Sequence, residues 1–214
     1  MHFNPVMFNF DKRLVLRTTA FVLLGVIALI CIFYAGIVSS NGEARESFLN
    51  GDYETAKQEY VDLVSTFQNW TFLRRTFRSQ YELALFNYAQ LLYFTGNYRD
   101  MVDVLEQEAT DYPYLAGTAL YHRWMGNAFF RIAVLQEGEN LSSESLQIVG
   151  EEYKEAIRLD RDDWDSKYNY EFAQDIIARQ NSKNPDEKET LQLLLGNIRL
   201  TSEQRRGELP DQLH

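Results

Sequence analysis

Residues 81–108 read YELALFNYAQLLYFTGNYRDMVDVLEQE. Apolar and aromatic residues recur with the three-and-four spacing of a helix face over residues 85–93, and the spacing resumes over residues 101–105. Gly96-Asn97 interrupts the pattern between them, as a tight turn does. The stretch therefore predicts two helices joined by a turn. Neither helix can bury its apolar face alone, so the pair requires neighbouring helices of the same kind.

The same unit recurs before and after this stretch. Ahead of it, Gly51-Asp52-Tyr53 precedes a helical pattern in the way that Gly96-Asn97-Tyr98 does. Behind it, residues 124–129 repeat the pattern of a first helix, and residues 153–159 repeat the end of a second helix. A helix pair that recurs in this way predicts an all-α fold built by stacking.

These units resemble the tetratricopeptide-repeat family. That family has a small residue and a glycine along its first helix, a Gly-Asp/Asn-Tyr turn, and an alanine and an aromatic residue on its second helix. The resemblance implies an α-solenoid, which we assign to residues 43–200. The solenoid is irregular, because Gly51 and Gly96 are 45 residues apart against about 34 in the regular repeat, and a second insertion lies near residues 137–145. The matching positions are Gly51, Ala56, Tyr60, Ala89, Leu92, Gly96, Met101, Leu105, Gly126, Phe129, Tyr153 and Ala156.

Composition and charge exclude several classes of function. The 214 residues are 45% hydrophobic, which is enough for a sizeable core. The formal charge of −10 is uneven, since residues 1–41 sum to +2 and residues 42–214 to −12. So acidic a domain does not bind nucleic acid through phosphate attraction. The single cysteine, Cys31, excludes an intramolecular disulfide and a cysteine-based zinc site.

Residues 18–38 carry no charge and are long enough to span a hydrocarbon core of about 30 Å. We interpret them as a transmembrane signal anchor that places the chain in the lipid bilayer. A cleaved signal peptide is the alternative, because Val38 and Ser40 are small enough for a peptidase site. The apolar run exceeds the usual 7–15 residues of such a peptide, roughly speaking, which favours the anchor.

Charge on either side of the span predicts its orientation. Residues 1–17 form a short basic segment that contains Lys12, Arg13 and Arg17, whereas the residues after the span are mixed in sign. By the positive-inside rule the N-terminus is cytoplasmic and the repeat domain lies outside. In a bacterium this describes a single-pass inner-membrane protein with a periplasmic domain. Residues 201–214 are predicted to form a polar C-terminal tail.

Several local features predict where helices begin, end or approach each other. Residues 39–43 are predicted to form a short hinge after the span. Helices are expected over residues 118–135, up to Leu159 after a loop, over residues 164–179 and over residues 187–199. Ser142 or Ser143 is expected to cap the helix that ends at Leu159, and Gly126 is expected to let a neighbouring helix approach closely.

The insertion at residues 65–79 has two interpretations. Trp70 begins an aromatic stripe at helical spacing, and arginines stand beside it. The stripe predicts either an extension of the next helix that packs on its neighbours, or an interfacial segment that contacts lipid. In the second interpretation the contacting residues are Trp70, Arg74, Arg75 and Arg78.

No catalytic motif is found in the sequence. The three histidines, His2, His122 and His214, are too far apart in the chain to predict a metal or nucleophile site. We find neither a phosphate-binding glycine loop nor a calcium loop. We therefore expect a protein that is not an enzyme and that needs no cofactor.

One set of residues predicts protein binding. Arg123, Asn127 and Arg131 are spaced four residues apart on a predicted first helix and so share one face. The tetratricopeptide resemblance implies that first helices line a concave groove, where basic residues and asparagine hold a peptide carboxylate in some members. The alternative is that the two arginines balance nearby acidic residues. The candidate groove residues are Gln90, Tyr93, Phe94, Arg123, Asn127, Phe130 and Arg131.

A second resemblance narrows the expected function. Residues 162–171 read DDWDSKYNYE and are similar to a phrase of MxaK-like proteins, which are membrane-anchored repeat proteins that accompany MoxR-type ATPases and von Willebrand A-domain proteins. This resemblance implies a non-catalytic scaffold that helps to assemble or mature a periplasmic or membrane complex, with those proteins as candidate partners. The alternative is a permanent structural subunit of a larger membrane machine.

Overall fold

The computed structural model describes residues 12–138, 141–182 and 184–207, with side chains described in the ranges 16–138, 141–182 and 184–199. The regular elements in these ranges are all helical, which confirms the all-α prediction. The elements are α1 (Lys12–Leu49), α2 (Tyr53–Asn69), α3 (Thr71–Thr76), α4 (Arg78–Phe94), α5 (Tyr98–Asp111), the 3-10 helix η1 (Leu115–Gly117), α6 (Ala119–Glu137), α7 (Ser143–Leu159), α8 (Trp164–Gln180) and α9 (Pro185–Gly207).

Helix α1 runs through the predicted hinge without a break, so the hinge at residues 39–43 is wrong. The Ser39 hydroxyl donates to Glu43 Oε1 at 2.9 Å along the helix. Asn41 and Ala44 are buried by α2 and α4, and this packing offsets the cost of about 1 kcal/mol of placing Gly42 inside a helix. The part of α1 from residue 16 onward is long and apolar enough to span a membrane.

The two glycine turns found in the sequence have the same backbone geometry. Gly51 and Gly96 have φ of +80° and +76°, values that favour glycine because it lacks a Cβ. In each turn the glycine amide donates to the carbonyl three residues earlier, and the next amide donates to the carbonyl five residues earlier. This pattern satisfies the last carbonyls of the preceding helix. The following tyrosines, Tyr53 and Tyr98, begin α2 and α5.

The start of α7 and the end of α9 can also be compared with the predictions from the sequence. The side chain of Ser142 accepts from the Ser145 amide at 3.1 Å, which confirms the predicted cap of α7. Helix α9 continues to Gly207, so residues 201–207 of the predicted polar tail are helical. The sequence there has no apolar face but also no helix-breaking residue before Gly207, and its glutamine and arginines favour a helix. The remainder of the predicted tail lies outside the described residues.

Helices adjacent in the chain pack against one another through two apolar clusters. One cluster joins α1, α2, α4 and α5 to the first half of α6, and the other joins the second half of α6 to α7, α8 and α9. At the second junction, a Cβ on Gly126 would lie 2.7 Å from Tyr153 Cε1. The close approach predicted for Gly126 is therefore confirmed, and it brings α7 directly against α6.

Candidate functional site

Four of the seven predicted groove residues line one cavity of about 240 Å³. Tyr93 comes from the end of α4, and Asn127, Phe130 and Arg131 come from α6. Helices α7, α8 and α9 complete the lining with Tyr153, Tyr168, Asn169, Phe172 and Ile198.

The geometry of α6 explains how the cavity forms. Asn127 and Arg131 are one helical turn apart and therefore point to the same side. Because Gly126 has no side chain, the ring of Tyr153 lies close against α6 and its hydroxyl reaches Asn127. A glycine predicted only as a packing residue thus also positions a polar group in the cavity.

Asn127 is held at the centre of a neutral hydrogen-bond network. Its Oδ1 accepts from the Tyr153 hydroxyl at 2.8 Å and from Asn169 Nδ2 at 3.0 Å. Two donors on one oxygen fix the plane of the carboxamide, and these bonds do not use its Nδ2 donor. Burial raises the pKa of Tyr153 far above its ordinary value, so its hydroxyl stays protonated and remains a donor.

Arg131 supplies the formal charge at this cavity. Its Nε donates to the Tyr93 hydroxyl at 2.9 Å, and its guanidinium carbon is 5.7 Å from the centre of the Tyr93 ring. No acidic side chain is found among the cavity-lining residues that the structure describes. An arginine beside amide donors and aromatic rings suits a carboxylate on an apolar segment, since a guanidinium can donate two parallel hydrogen bonds.

Arg123 does not reach this cavity. Eight residues separate it from Arg131, which places the two about 12 Å apart along α6. Its Nη1 donates to Asp163 Oδ1 at 3.0 Å and to Asp165 Oδ2 at 3.1 Å. The predicted alternative, that an arginine on this face balances nearby acidic residues, therefore describes Arg123.

The two other groove predictions also lie outside the cavity lining. Phe94 is exposed at the end of α4 and packs edge-on against Phe48 of α1, with ring centres 5.6 Å apart. Gln90 lies one turn earlier on α4 and is half-buried. The cavity is consequently centred on α6 and α8 rather than on the face shared by Gln90 and Phe94.

The insertion residues divide into buried and exposed groups. Trp70 and Arg75 are exposed, while Arg78 is half-buried, pairs with Glu82 at 2.8 Å and stacks on the ring of Tyr114. Arg74 is only 6% exposed. The interpretation in which Arg74 contacts lipid is therefore wrong, because its side chain is buried.

Arg74 belongs to a sealed charged cluster. Its Nη1 lies 3.5 Å from Oε2 of Glu108, a residue that is 1% exposed. Glu108 also accepts hydrogen bonds from the Tyr81 hydroxyl and from Gln68 Nε2. The Arg74 guanidinium carbon is 5.6 Å from the centre of the Tyr81 ring and 5.4 Å from that of Tyr112. Because its ion pair is almost fully buried, this cluster joins α3 to α5 rather than receiving a substrate.

Sequence reasoning missed the contribution of α8. Asn169 lies 42 residues from Asn127, so no local pattern joins them. Both Asn169 and Tyr168 lie within the phrase DDWDSKYNYE, but neither shows a pattern that predicts a binding role. In the same phrase Asp163 caps α8 by accepting from the Ser166 amide at 3.2 Å. Much of the phrase therefore starts a helix and places Asn169 at the cavity.

Among the described side chains, no group of three or more histidine, cysteine, aspartate or glutamate residues could hold a metal ion. Comparison of the chain with protein-family models, with curated proteins and with solved structures gives no match.

Proposed function

We propose that this chain is a single-pass membrane protein whose helical domain binds the carboxylate-bearing end of another protein. In this proposal it acts without catalysis, as an accessory factor in the assembly or maturation of a periplasmic or membrane complex. The observation that carries the proposal is the cavity in which Tyr93, Asn127, Phe130 and Arg131 meet. These residues combine a positive charge, amide donors and apolar walls, which is the chemistry that a peptide carboxylate and its neighbouring side chains require.

The proposed architecture is an irregular tetratricopeptide-like array behind a membrane anchor. It is supported by the equal hydrogen-bond patterns of the turns at Gly51 and Gly96 and by the packing of helices that follow one another in the chain. The anchor is supported by the apolar, exposed length of α1. The basic residues before the span support a cytoplasmic N-terminus and a periplasmic domain in the inner membrane.

The test is an affinity capture from membranes solubilised in mild detergent. The full-length chain carries a C-terminal tag, and two variants, Arg131→Met and Arg123→Met, are compared with the parent. Arg131→Met is expected to lose most of the captured partner, because a guanidinium at the cavity is removed. Arg123→Met removes an arginine from the same helix but outside the cavity and is expected to capture as the parent does.

Equal capture by all three proteins would overturn the cavity as the binding site. Circular dichroism of each purified variant shows whether the fold is retained. A synthetic peptide with the C-terminal sequence of the captured partner, compared with its amide, then tests whether the carboxylate is recognised. Binding of both forms with the same affinity would exclude carboxylate recognition.

The resemblance of residues 162–171 to MxaK-like proteins supports a narrower version of the proposal. In this version the captured partners are von Willebrand A-domain proteins or other proteins associated with MoxR-type ATPases. Mass spectrometry of the captured material tests it directly. Recovery of unrelated proteins only would remove the narrower version and leave the cavity proposal standing.

A permanent structural subunit is the second candidate. It is favoured by the exposed aromatic side chains of α8, where Trp164 and Tyr168 are 75% and 70% exposed. Large apolar groups on one helix face suit a surface that a fixed neighbour covers. A subunit of this kind co-purifies at a constant ratio, whereas an assembly factor is recovered in amounts that fall once assembly is complete.

A further inference from the structure

A second exposed surface lies where α2 gives way to α3. Trp70 is 64% exposed and Phe72 is 73% exposed, although both side chains are large and apolar. Arg75 stands beside them in the last turn of α3 and is also exposed. We refer to Trp70, Phe72 and Arg75 as the corner.

The path of α2 places the corner beside the apolar part of α1. In the first half of α2, the Glu59 carboxylate accepts from the Ser47 hydroxyl at 2.9 Å. Toward its end, Thr66 of α2 lines the same cavity as Ile32 and Phe33 of α1. Helix α2 therefore runs back along α1 toward the membrane span, and the corner follows at its end.

Contacts made just after the corner fix its level along α1. The ring centre of Phe77 is 6.0 Å from that of Phe33 and 5.7 Å from that of Tyr34. Gln80 Nε2 donates to the Tyr34 hydroxyl at 3.2 Å. Tyr34 stands four residues before Val38, the end of the apolar run, which is about 6 Å along the helix axis. The corner thus lies at the level of the uncharged run.

We propose that the corner is embedded in the headgroup region of the bilayer that α1 spans. Trp70 and Phe72 would otherwise expose large apolar surfaces to water, and tryptophan favours the membrane interface. The inference rests on the anchoring role of α1 in the proposed function and not on the peptide cavity.

The distribution of charge indicates that Arg75 makes the polar contact between the corner and lipid. The domain is acidic as a whole, so most of its surface is repelled by anionic lipid. Of the three arginines in the insertion, Arg74 is paired with Glu108 and Arg78 with Glu82. Arg75 is exposed beside the two aromatic side chains, where its guanidinium can donate to a lipid phosphate.

The sequence accommodates the shift of the bilayer that this position implies. If the outer boundary lies near Tyr34, a span of about 20 residues begins near residue 14. Leu14, Val15 and Leu16 continue the apolar run in that direction. Arg17 then lies inside the inner boundary by about one helical turn, from which a long basic side chain can reach the headgroups.

The fluorescence of single-tryptophan variants tests the inference, since the chain contains three tryptophans. The double variant Trp124→Phe/Trp164→Phe keeps Trp70, and its control Trp70→Phe/Trp124→Phe keeps Trp164, which is exposed to a similar degree. Both full-length proteins are reconstituted into phosphatidylcholine vesicles with and without phosphatidylglycerol. In a parallel set, the lipids carry bromine on the acyl chains near the headgroup, where bromine quenches tryptophan on contact.

Trp70 is expected to emit at shorter wavelength than Trp164 and to lose most of its intensity in brominated vesicles, whereas Trp164 keeps its intensity. Equal intensities in brominated and plain vesicles would overturn the inference. A short-wavelength Trp70 that bromine does not quench would overturn it too, because a second copy of the chain would then cover the corner. Equal quenching of both tryptophans would indicate nonspecific adsorption and exclude a specific corner.

Arg75→Gln, made in the protein that keeps Trp70, tests the lipid phosphate contact. It is expected to reduce quenching most in vesicles that contain phosphatidylglycerol. If Arg75→Gln changes the quenching in neither lipid, Arg75 does not contribute to the lipid contact of the corner. Flotation of the vesicles tests the anchoring role of α1 separately from the lipid contact of the corner. A protein that floats without quenching refutes the corner alone, whereas a protein that does not float refutes the anchoring role of α1 as well.

Discussion

The two halves of the helical domain bury polar groups in opposite ways. In the first half, Arg74 and Glu108 form an ion pair that is almost completely enclosed. In the second half, Asn127, Tyr153 and Asn169 form a neutral network that borders an open cavity of about 240 Å³. Enclosure leaves no room for a ligand, while the neutral network leaves donors and space beside Arg131. The Arg74–Glu108 pair therefore stabilises the fold, whereas the Asn127 network has the donors and the space that a binding site needs.

The enclosed pair also explains how the long insertion before α4 is held in place. A buried charge is costly unless it is paired and hydrogen-bonded. Glu108 meets this need with Arg74, Tyr81 and Gln68, which come from α3, α4 and α2. Burial, and then the hydrogen bond to Glu108, raise the pKa of Tyr81, so its hydroxyl stays protonated as a donor. One carboxylate on α5 thereby fixes three preceding helices.

The largest effect is expected from breaking the enclosed pair. Glu108→Leu leaves the Arg74 charge buried without a partner, and we expect a loss of about 3–5 kcal/mol in the free energy of unfolding. Chemical denaturation of the full-length protein in detergent measures it. The control is Glu82→Leu, because the Arg78–Glu82 pair is partly exposed and is expected to contribute less than about 1 kcal/mol. Similar losses in both variants would contradict the enclosure of Glu108.

The next effect concerns the close approach that forms the cavity. In Gly126→Ala the new Cβ would lie 2.7 Å from Tyr153 Cε1, so α7 or the tyrosine ring must move. We expect a loss of about 1–3 kcal/mol in stability together with weaker partner capture. Gly150→Ala on α7 is the matched control, since its nearest neighbour is Gln174 Nε2 at 3.4 Å. A stability loss that is no larger at position 126 than at position 150 would be evidence against the tight contact.

A smaller effect tests the neutral network. Tyr153→Phe removes one hydrogen bond to Asn127 and is expected to cost about 1 kcal/mol. Asn127→Ala leaves the buried Tyr153 hydroxyl without that acceptor. In the double variant this penalty disappears, so the loss should be smaller than the sum of the two single losses. Strict additivity in the denaturation experiment would show that Tyr153 and Asn127 are not coupled.

The smallest effect is expected from the pair of His122 and Glu152, whose side chains are partly buried. His122 Nδ1 is 2.7 Å from Glu152 Oε2 and its Nε2 is 2.9 Å from the Ala116 carbonyl oxygen. Burial alone lowers the pKa of His122, but the hydrogen bonds to these two acceptors outweigh burial and raise it above 6.5. Two acceptors favour the doubly protonated ring.

The sign of the pH effect follows from that raised pKa. The stabilisation is fully present below the unfolded-state pKa of about 6.5 and is lost as the pH rises through the folded-state value. We expect it to be about 0.5 kcal/mol, as for a partly exposed pair. The stability of the parent relative to His122→Gln, measured between about pH 5.5 and pH 8.5, should fall with increasing pH. A constant difference would mean that His122 is not charged in the folded protein.

Local chemistry made part of this structure predictable from the sequence. The turns at Gly51 and Gly96, the cap at Ser142 and the close approach at Gly126 each depend on residues that lie at the feature itself. Four cavity residues were found because the spacing of a helix places them on one face or at its end. The all-helical fold followed from the same periodicity.

Long-range partners account for what the sequence did not show. The prediction of a hinge at residues 39–43 failed because this segment packs against distant helices. Asn41 Oδ1 accepts from Nδ2 of Asn87, a residue 46 positions further along the chain, at 3.2 Å. One of the two interpretations of the insertion placed Arg74 at the surface, because its buried partner lies 34 positions further on. Asn169 reaches the cavity from α8, 42 residues further along the chain than its partner Asn127. Pairing between distant polar residues leaves no periodic pattern.

The unbroken course of α1 has a mechanical consequence. Its 38 residues form a rod of about 57 Å with no flexible joint between the apolar run and the helical domain. Hydrophobic mismatch is relieved by tilting a span, and a jointless rod transmits that tilt to whatever it carries. A change in bilayer thickness would then tilt the helical domain and move the opening of the Asn127 cavity relative to the membrane. If α1 spans the bilayer and the cavity binds proteins as proposed, the lipid environment would influence which neighbouring proteins the cavity can reach.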